Sequence, residues 1–138
     1  MARTFRLELV TPERVAFSEE VVSLVAPAYD GYVGVLAGHA PMLCVLLPGE
    51  IILQGPAGTR YFATAGGFLE VAAAKTILLT DATEPVEDVD LARAEEARKR
   101  ALERLEQRSA GIDLERARKA VTRADNRLRQ ARRRRRSP

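Results

Sequence analysis

Four arginines hold the clearest chemical potential in this 138-residue chain: Arg93, Arg100, Arg123 and Arg127. On a helix turning about 100° per residue, Arg93 and Arg100 fall on one line, two turns apart. They lie roughly 130–150° back from the centre of an apolar stripe made by Leu91, Ala94, Ala101, Leu102 and Leu105. Arg123 and Arg127 lie roughly 75–115° back, in the same rotational sense, from a second stripe. That stripe is Leu114, Ala117, Ala120, Val121, Ala124 and Leu128. Antiparallel pairing of the two helices turns equal offsets into the same side, so the four guanidinium groups share one face. Planar guanidinium forks match phosphate oxygens, and the implied chemistry is recognition of a polyphosphate. A solvated charged face supported by i,i+4 pairs such as Glu96–Arg100 accounts for the same spacing.

The elements that must position these groups are two amphipathic helices within residues 88–131. Asp88 or Asp90 can cap the first, because a carboxylate accepts the orphan N–H groups of the first turn. Ser109-Ala110-Gly111 breaks the pattern, and Asp113 can cap the second helix. So short a break gives an antiparallel hairpin. The stripes are rich in alanine, which buries little area at about 25 cal/mol per Å². The hairpin is therefore expected to be marginal alone and able to unpack or dock elsewhere. Arg132 to Arg136 form a like-charge run. It reads as a disordered solubilising end, or as a contact for an acidic surface, anionic lipid or nucleic acid.

Residues 1–82 have a different texture. Phe5, Leu7 and Leu9 alternate with Arg6 and Glu8, as in a half-buried strand. The short apolar runs VVSLVA, YVGVL, MLCVLL, EIILQ, RYFATA, FLEVAA and KTILLT follow, separated by Gly, Pro and Asp turn signals. Many short strands at close spacing predict an antiparallel sandwich or barrel. Charge divides along the same line. Residues 1–87 carry 5 Lys+Arg against 10 Asp+Glu, and residues 88–138 carry 17 against 9. The net charge of +3 is thus −5 followed by +8. We place the domain boundary near Glu87, with domains 1–87 and 88–138.

Several function classes lose support. Cys44 is the only cysteine, which removes an intramolecular disulfide and any Cys-rich metal site. His39 is the only histidine, and no partner makes it a catalytic base. An interface or hydrogen-bonding role suits it better. Gly31, Gly34 and Gly38 resemble a phosphate loop only loosely, since strands and turns surround them. No apolar run approaches the roughly 20 residues of a membrane-spanning helix, and the N-terminus alternates instead of forming a signal peptide. A soluble, intracellular, reduced and non-enzymatic protein is expected, with no metal.

At this point a family resemblance appears. GYVGVLAGHAPM (residues 31–42) resembles the first signature of the ε subunits of bacterial F-type ATP synthases, Gly-x-x-Gly-[Ile/Val]-[Leu/Met]-Pro-Gly-His-x-Pro. GGFLEV (66–71) and PVEDVDLARA (85–94) are similar to its second and third. Ala37 replaces the usual Pro, and Tyr32 stands where relatives often carry an acidic residue. The resemblance implies a ten-stranded β-sandwich followed by a helical hairpin. It implies a non-catalytic rotor subunit, peripheral at the cytoplasmic face of the bacterial membrane. The sandwich would bind the γ subunit and the c-ring, with Tyr32 and His39 as contact candidates. The hairpin would extend toward the α and β subunits and block hydrolysis. Some bacterial members bind regulatory ATP through Ile-Asp-x-x-Arg-Ala and further arginines. Carried over, the positions are Val89 (Val for Ile), Asp90, Arg93 and Ala94, with Glu84, Arg100, Arg123 and Arg127. Alternative readings are a stand-alone ATP sensor or a small nucleic-acid-binding module. The −5 charge of the first domain speaks against nucleic acid, and a steep salt dependence would be its mark.

Overall fold

A computed structural model describes residues 3–107 and 114–136. The chain divides into two compact units, Met1–Pro85 and Val86–Pro138. The first unit contains ten strands: β1 Phe5–Val10, β2 Val15–Val21, β3 Ser23–Ala28, β4 Gly31–Leu36, β5 Met42–Leu46, β6 Gly49–Gly55, β7 Gly58–Thr64, β8 Gly67–Val71, β9 Thr76–Thr80 and β10 Thr83–Pro85. The second contains a 3₁₀ turn at Val86–Asp88, then α1 Leu91–Gln107 and α2 Leu114–Arg136.

The strands join in one continuous sheet of order β10-β7-β6-β3-β5-β8-β9-β1-β2, with β4 added on β3. β2 comes against β6, so the sheet curls back on itself and encloses one core. Every pairing is antiparallel except β1 with β9, which run parallel with Leu7 opposite Thr76 and Leu9 opposite Leu78. It is the one exception in the expected antiparallel sandwich. A parallel pair needs a long connection, and the intervening strands supply it.

Alternation decides what faces inward. Leu7 and Leu9 are fully buried, as are Leu24, Ile51, Leu53, Leu69 and Leu78. On β1 the outward residues are tied across the surface: Arg6 donates to Ser18 Oγ, and Lys75 pairs with Glu8 at 3.4 Å. Phe17 meets Phe62 edge to face at 6.0 Å, and the Arg60 guanidinium covers both rings at 5.9 and 5.3 Å. Two strands are invisible to periodicity. In β2 only Phe17 and Val21 are buried, and Ser18-Glu19-Glu20 hides the alternation. β10 has three residues and pairs only with β7, an edge that tolerates Pro85.

The helical unit is an antiparallel pair. Arg98 of α1 bonds Asp125 of α2, and Glu95, one turn earlier, meets Arg132, two turns later. Ala94, Ala101, Ala117, Ala124 and Leu128 are buried, as their stripes require. Ala131 extends the second stripe. Val89, Ala94, Leu128 and Ala131 form one apolar cluster with Leu91 beside it. The break at Ser109-Ala110-Gly111 and the Asp113 cap lie outside the described residues. Contrary to the reading of Arg132–Arg136 as a disordered end, α2 runs through Arg136. Arginine is a strong helix former, and cations in a last turn meet the negative end of the helix dipole.

One further feature of α2 was not legible. Asn126 and Gln130 are both 4% exposed, and Gln130 Nε2 donates to Asn126 Oδ1 at 3.2 Å. Among the described residues Gln130 Oε1 has no partner. Asn126→Ala would strip the buried amide of this bond too. The expected cost is about 1–3 kcal/mol, read as a lower melting temperature of the helical circular dichroism signal.

Candidate functional site

Asp90 is the residue on which the arginine face is hung. Its Oδ1 accepts from the Arg93 N–H at 3.1 Å, and its carbonyl accepts from the Ala94 N–H at 2.9 Å. That is an N-cap, so Asp90 rather than Asp88 starts α1 and fixes where Arg93 emerges. Asp90→Ala is expected to cost about 1 kcal/mol of helix stability, checked by thermal melting.

Arg93, Arg100 and Arg123 are exposed and Arg127 is half-buried. Arg100 sits 3.4 Å from Glu96 in an exposed i,i+4 pair. Such a pair is worth little, and a stronger anion could displace it. Val89 and Ala94 have another position: they are 1% and 0% exposed inside the hairpin's apolar cluster. In this arrangement they pack with Leu128 and Ala131 in the apolar interior of the unit. Glu84 is a half-buried residue of β10, opposite Ala63 of β7, and belongs to the first unit.

Tyr32 and His39 lie at different ends of β4. Tyr32 opposes Pro27 beside the turn at Tyr29-Asp30, whereas His39 follows the far end of the strand. At about 3.3 Å per residue, the strand from Tyr32 to Leu36 spans roughly 13 Å, and the turn closed by the His39 N–H on the Leu36 carbonyl keeps His39 beside that far end. Tyr32 is 59% exposed, and its hydroxyl accepts from the Glu50 N–H at 3.4 Å. His39 Nδ1 lies 2.7 Å from the Ala40 carbonyl oxygen. The two cannot touch one small ligand, but they can touch different parts of a large partner.

The surface feature that sequence reasoning missed is apolar. Val45 of β5, Phe68 of β8 and Leu79 of β9 stand in one cross-strand row. All three point outward, and Leu43 joins them on β5 at 71% exposed. The signal was present in the runs MLCVLL and FLEV, where apolar residues occupy both phases of a strand. One phase fills the core, and the other must face something else. Between Leu43 and Val45, burial first and the Asp30 carboxylate second push the Cys44 thiol up. It stays protonated and is a poor nucleophile.

The ATP synthase Delta/Epsilon chain β-sandwich domain matches residues 4–86, and the long α-helix domain of the same chains matches residues 87–132. The chain belongs to the family of bacterial F-type ATP synthase ε subunits. An ATP synthase epsilon chain from Desulforamulus reducens is 41% identical over 133 residues, 95% of this chain and 99% of the relative. An ε chain from Moorella thermoacetica is 40% identical, over 93% and 96%. A chain in the mitochondrial ATP synthase of Euglena gracilis, in an assembly of OSCP, F1 and c-ring, shares the fold. Its TM-score is 0.75 at 21% identity, covering 89% of this chain and 78% of that one. Among the described residues of this ε family member, no helix is long and apolar enough to cross a membrane. No group of three or more His, Cys, Asp or Glu residues that could hold a metal occurs among them either.

Proposed function

We propose that the chain is a non-catalytic coupling and braking subunit of a proton-translocating rotary ATP synthase, held at the membrane by its partners. The observation that carries this reading is the outward row Val45–Phe68–Leu79 with Leu43. A contiguous exposed apolar face on a small sandwich marks a protein interface. The partners it fits are the γ subunit and the c-ring, the latter reached through the Tyr32 end of the β3–β4 hairpin. The basic helical unit complements acidic surfaces on the β subunits, and the α subunits flank them. Extended into the catalytic head, it resists rotation in the hydrolysis direction.

Regulatory ATP is part of the proposal. Its phosphates are assigned to Arg93, Arg100, Arg123 and Arg127, and Asp90 fixes the first of these. ATP favours the paired hairpin only through a higher affinity for that form.

The test is the ATPase rate of a matched α₃β₃γ complex with the full chain, with a chain ending at Glu87, and with neither. Inhibition by the full chain alone supports the brake, and no binding to γ by either form overturns the reading. In the R123A/R127A variant, the ATP concentration that relieves inhibition should rise at least tenfold. An unchanged response would remove ATP from these arginines.

A further inference from the structure

The hairpin has a second basic face, distinct from the arginine face to which the proposed function assigns ATP. Leu102 and Arg132 lie nine residues beyond Arg93 and Arg123. At about 100° per residue, that places them half a turn away from the arginine face. There a groove of about 960 Å³ opens between α1 and α2. Arg98, Lys99, Arg129, Arg132 and Arg133 line it, against two carboxylates, Asp125 and Glu95. Each carboxylate is already engaged, by Arg98 and Arg132 respectively. By composition the lining is net basic, five cations against two carboxylates. Leu102 and Leu128 line it too and supply apolar surface.

We propose that this groove is an anion site for a ligand of linked phosphates, independent of the arginine face. Arg129 and Arg133 are one turn apart, which places their stems about 5–6 Å from each other, suited to adjacent phosphates of one chain. Lys99 reaches the same space from α1. A single carboxylate would leave most of the excess charge unmatched, and a groove this size holds more than one phosphate. Four of the five cations are arginines, whose forks bind phosphate oxygens in pairs.

The experiment is a titration of sodium triphosphate into the ¹⁵N-labelled full chain, followed by NMR. Saturable shifts are expected at Lys99, Arg129 and Arg133. Read from the groove shifts, K99A/R129A should weaken binding at least tenfold, and R123A/R127A, which alters only the separate arginine face, should change it less than twofold. Both substituted groove residues are exposed, so helicity at 222 nm should be unchanged and exclude unfolding as the cause. Vesicles carrying diphosphatidylglycerol distinguish the phosphate source. Vesicle binding that triphosphate displaces assigns a lipid headgroup, and triphosphate binding alone assigns a soluble ligand. The proposal is overturned if triphosphate does not saturate, if only R123A/R127A loses it, or if an acidic peptide fills the groove and triphosphate does not. None of these outcomes depends on inhibition of an ATPase, so the braking reading stands or falls separately.

Discussion

Gly67→Ala is expected to destabilise the sandwich unit by about 3–5 kcal/mol. Gly67 opens β8 at φ +149°, and a Cβ there would stand 2.0 Å from the Leu79 carbonyl oxygen and 2.8 Å from Thr80 Cα. Those are backbone atoms of β9, so no side-chain rotation relieves the clash. β9 would have to move away from β8, and with it the pairing of Leu69 with Leu78 at the core. At about 4–8 °C per kcal/mol for a unit of this size, melting should fall by well over 10 °C. Gly34→Ala is the control. Its Cβ would meet nothing within 4 Å, and the change should stay within about 0.5 kcal/mol. Calorimetry on the three proteins decides the matter, and equal melting temperatures would show that β8 and β9 are not clamped together here.

Phe68→Lys is expected to do the opposite: leave the fold and abolish the interface. Phe68 is 51% exposed at the centre of the outward row. Removing it from the core side costs nothing, because Leu69 is the inward residue. A charge placed in a desolvated partner contact loses the aromatic anchor and adds an unpaired cation. Binding to γ should weaken at least about 30-fold, the equivalent of roughly 2 kcal/mol, while melting moves by no more than a few degrees. Surface plasmon resonance against γ gives the answer. Unchanged affinity would shift the interface to the face that carries Tyr32 and Leu36.

Much of this was legible because two periods, 2 and 3.6, are written into different parts of the chain. Phe5-Leu7-Leu9 and the alanine stripes needed no structure to be placed. The three family signatures, between residues 31 and 94, agreed with both. What escaped did so for physical reasons. β2 hides behind three consecutive polar residues, and β10 is too short to have a period. Apolar runs such as MLCVLL do not say which phase is buried, so the outward row needed the register. The arginine run of α2 looked like a tail because like charges repel, yet helix propensity and the terminal dipole outweigh that repulsion. Asn126 and Gln130 lie outside the apolar stripe, where hydropathy gives no reason to expect burial.

The one parallel pairing has a consequence for biosynthesis. β1 finds β2 within moments of leaving the ribosome, but its other neighbour, β9, lies about 70 residues later in the chain. At about 5–20 residues per second, one edge of the N-terminal strand waits roughly 4–14 s for its mate. During that interval Leu7 and Leu9 lack Leu78, one of their partners in the finished core. Once Thr80 has emerged the sheet can close, while the arginine-rich helices are still being translated. The residues of the acidic unit are thus all synthesised before most of the basic one, which lets the first fold free of its oppositely charged neighbour.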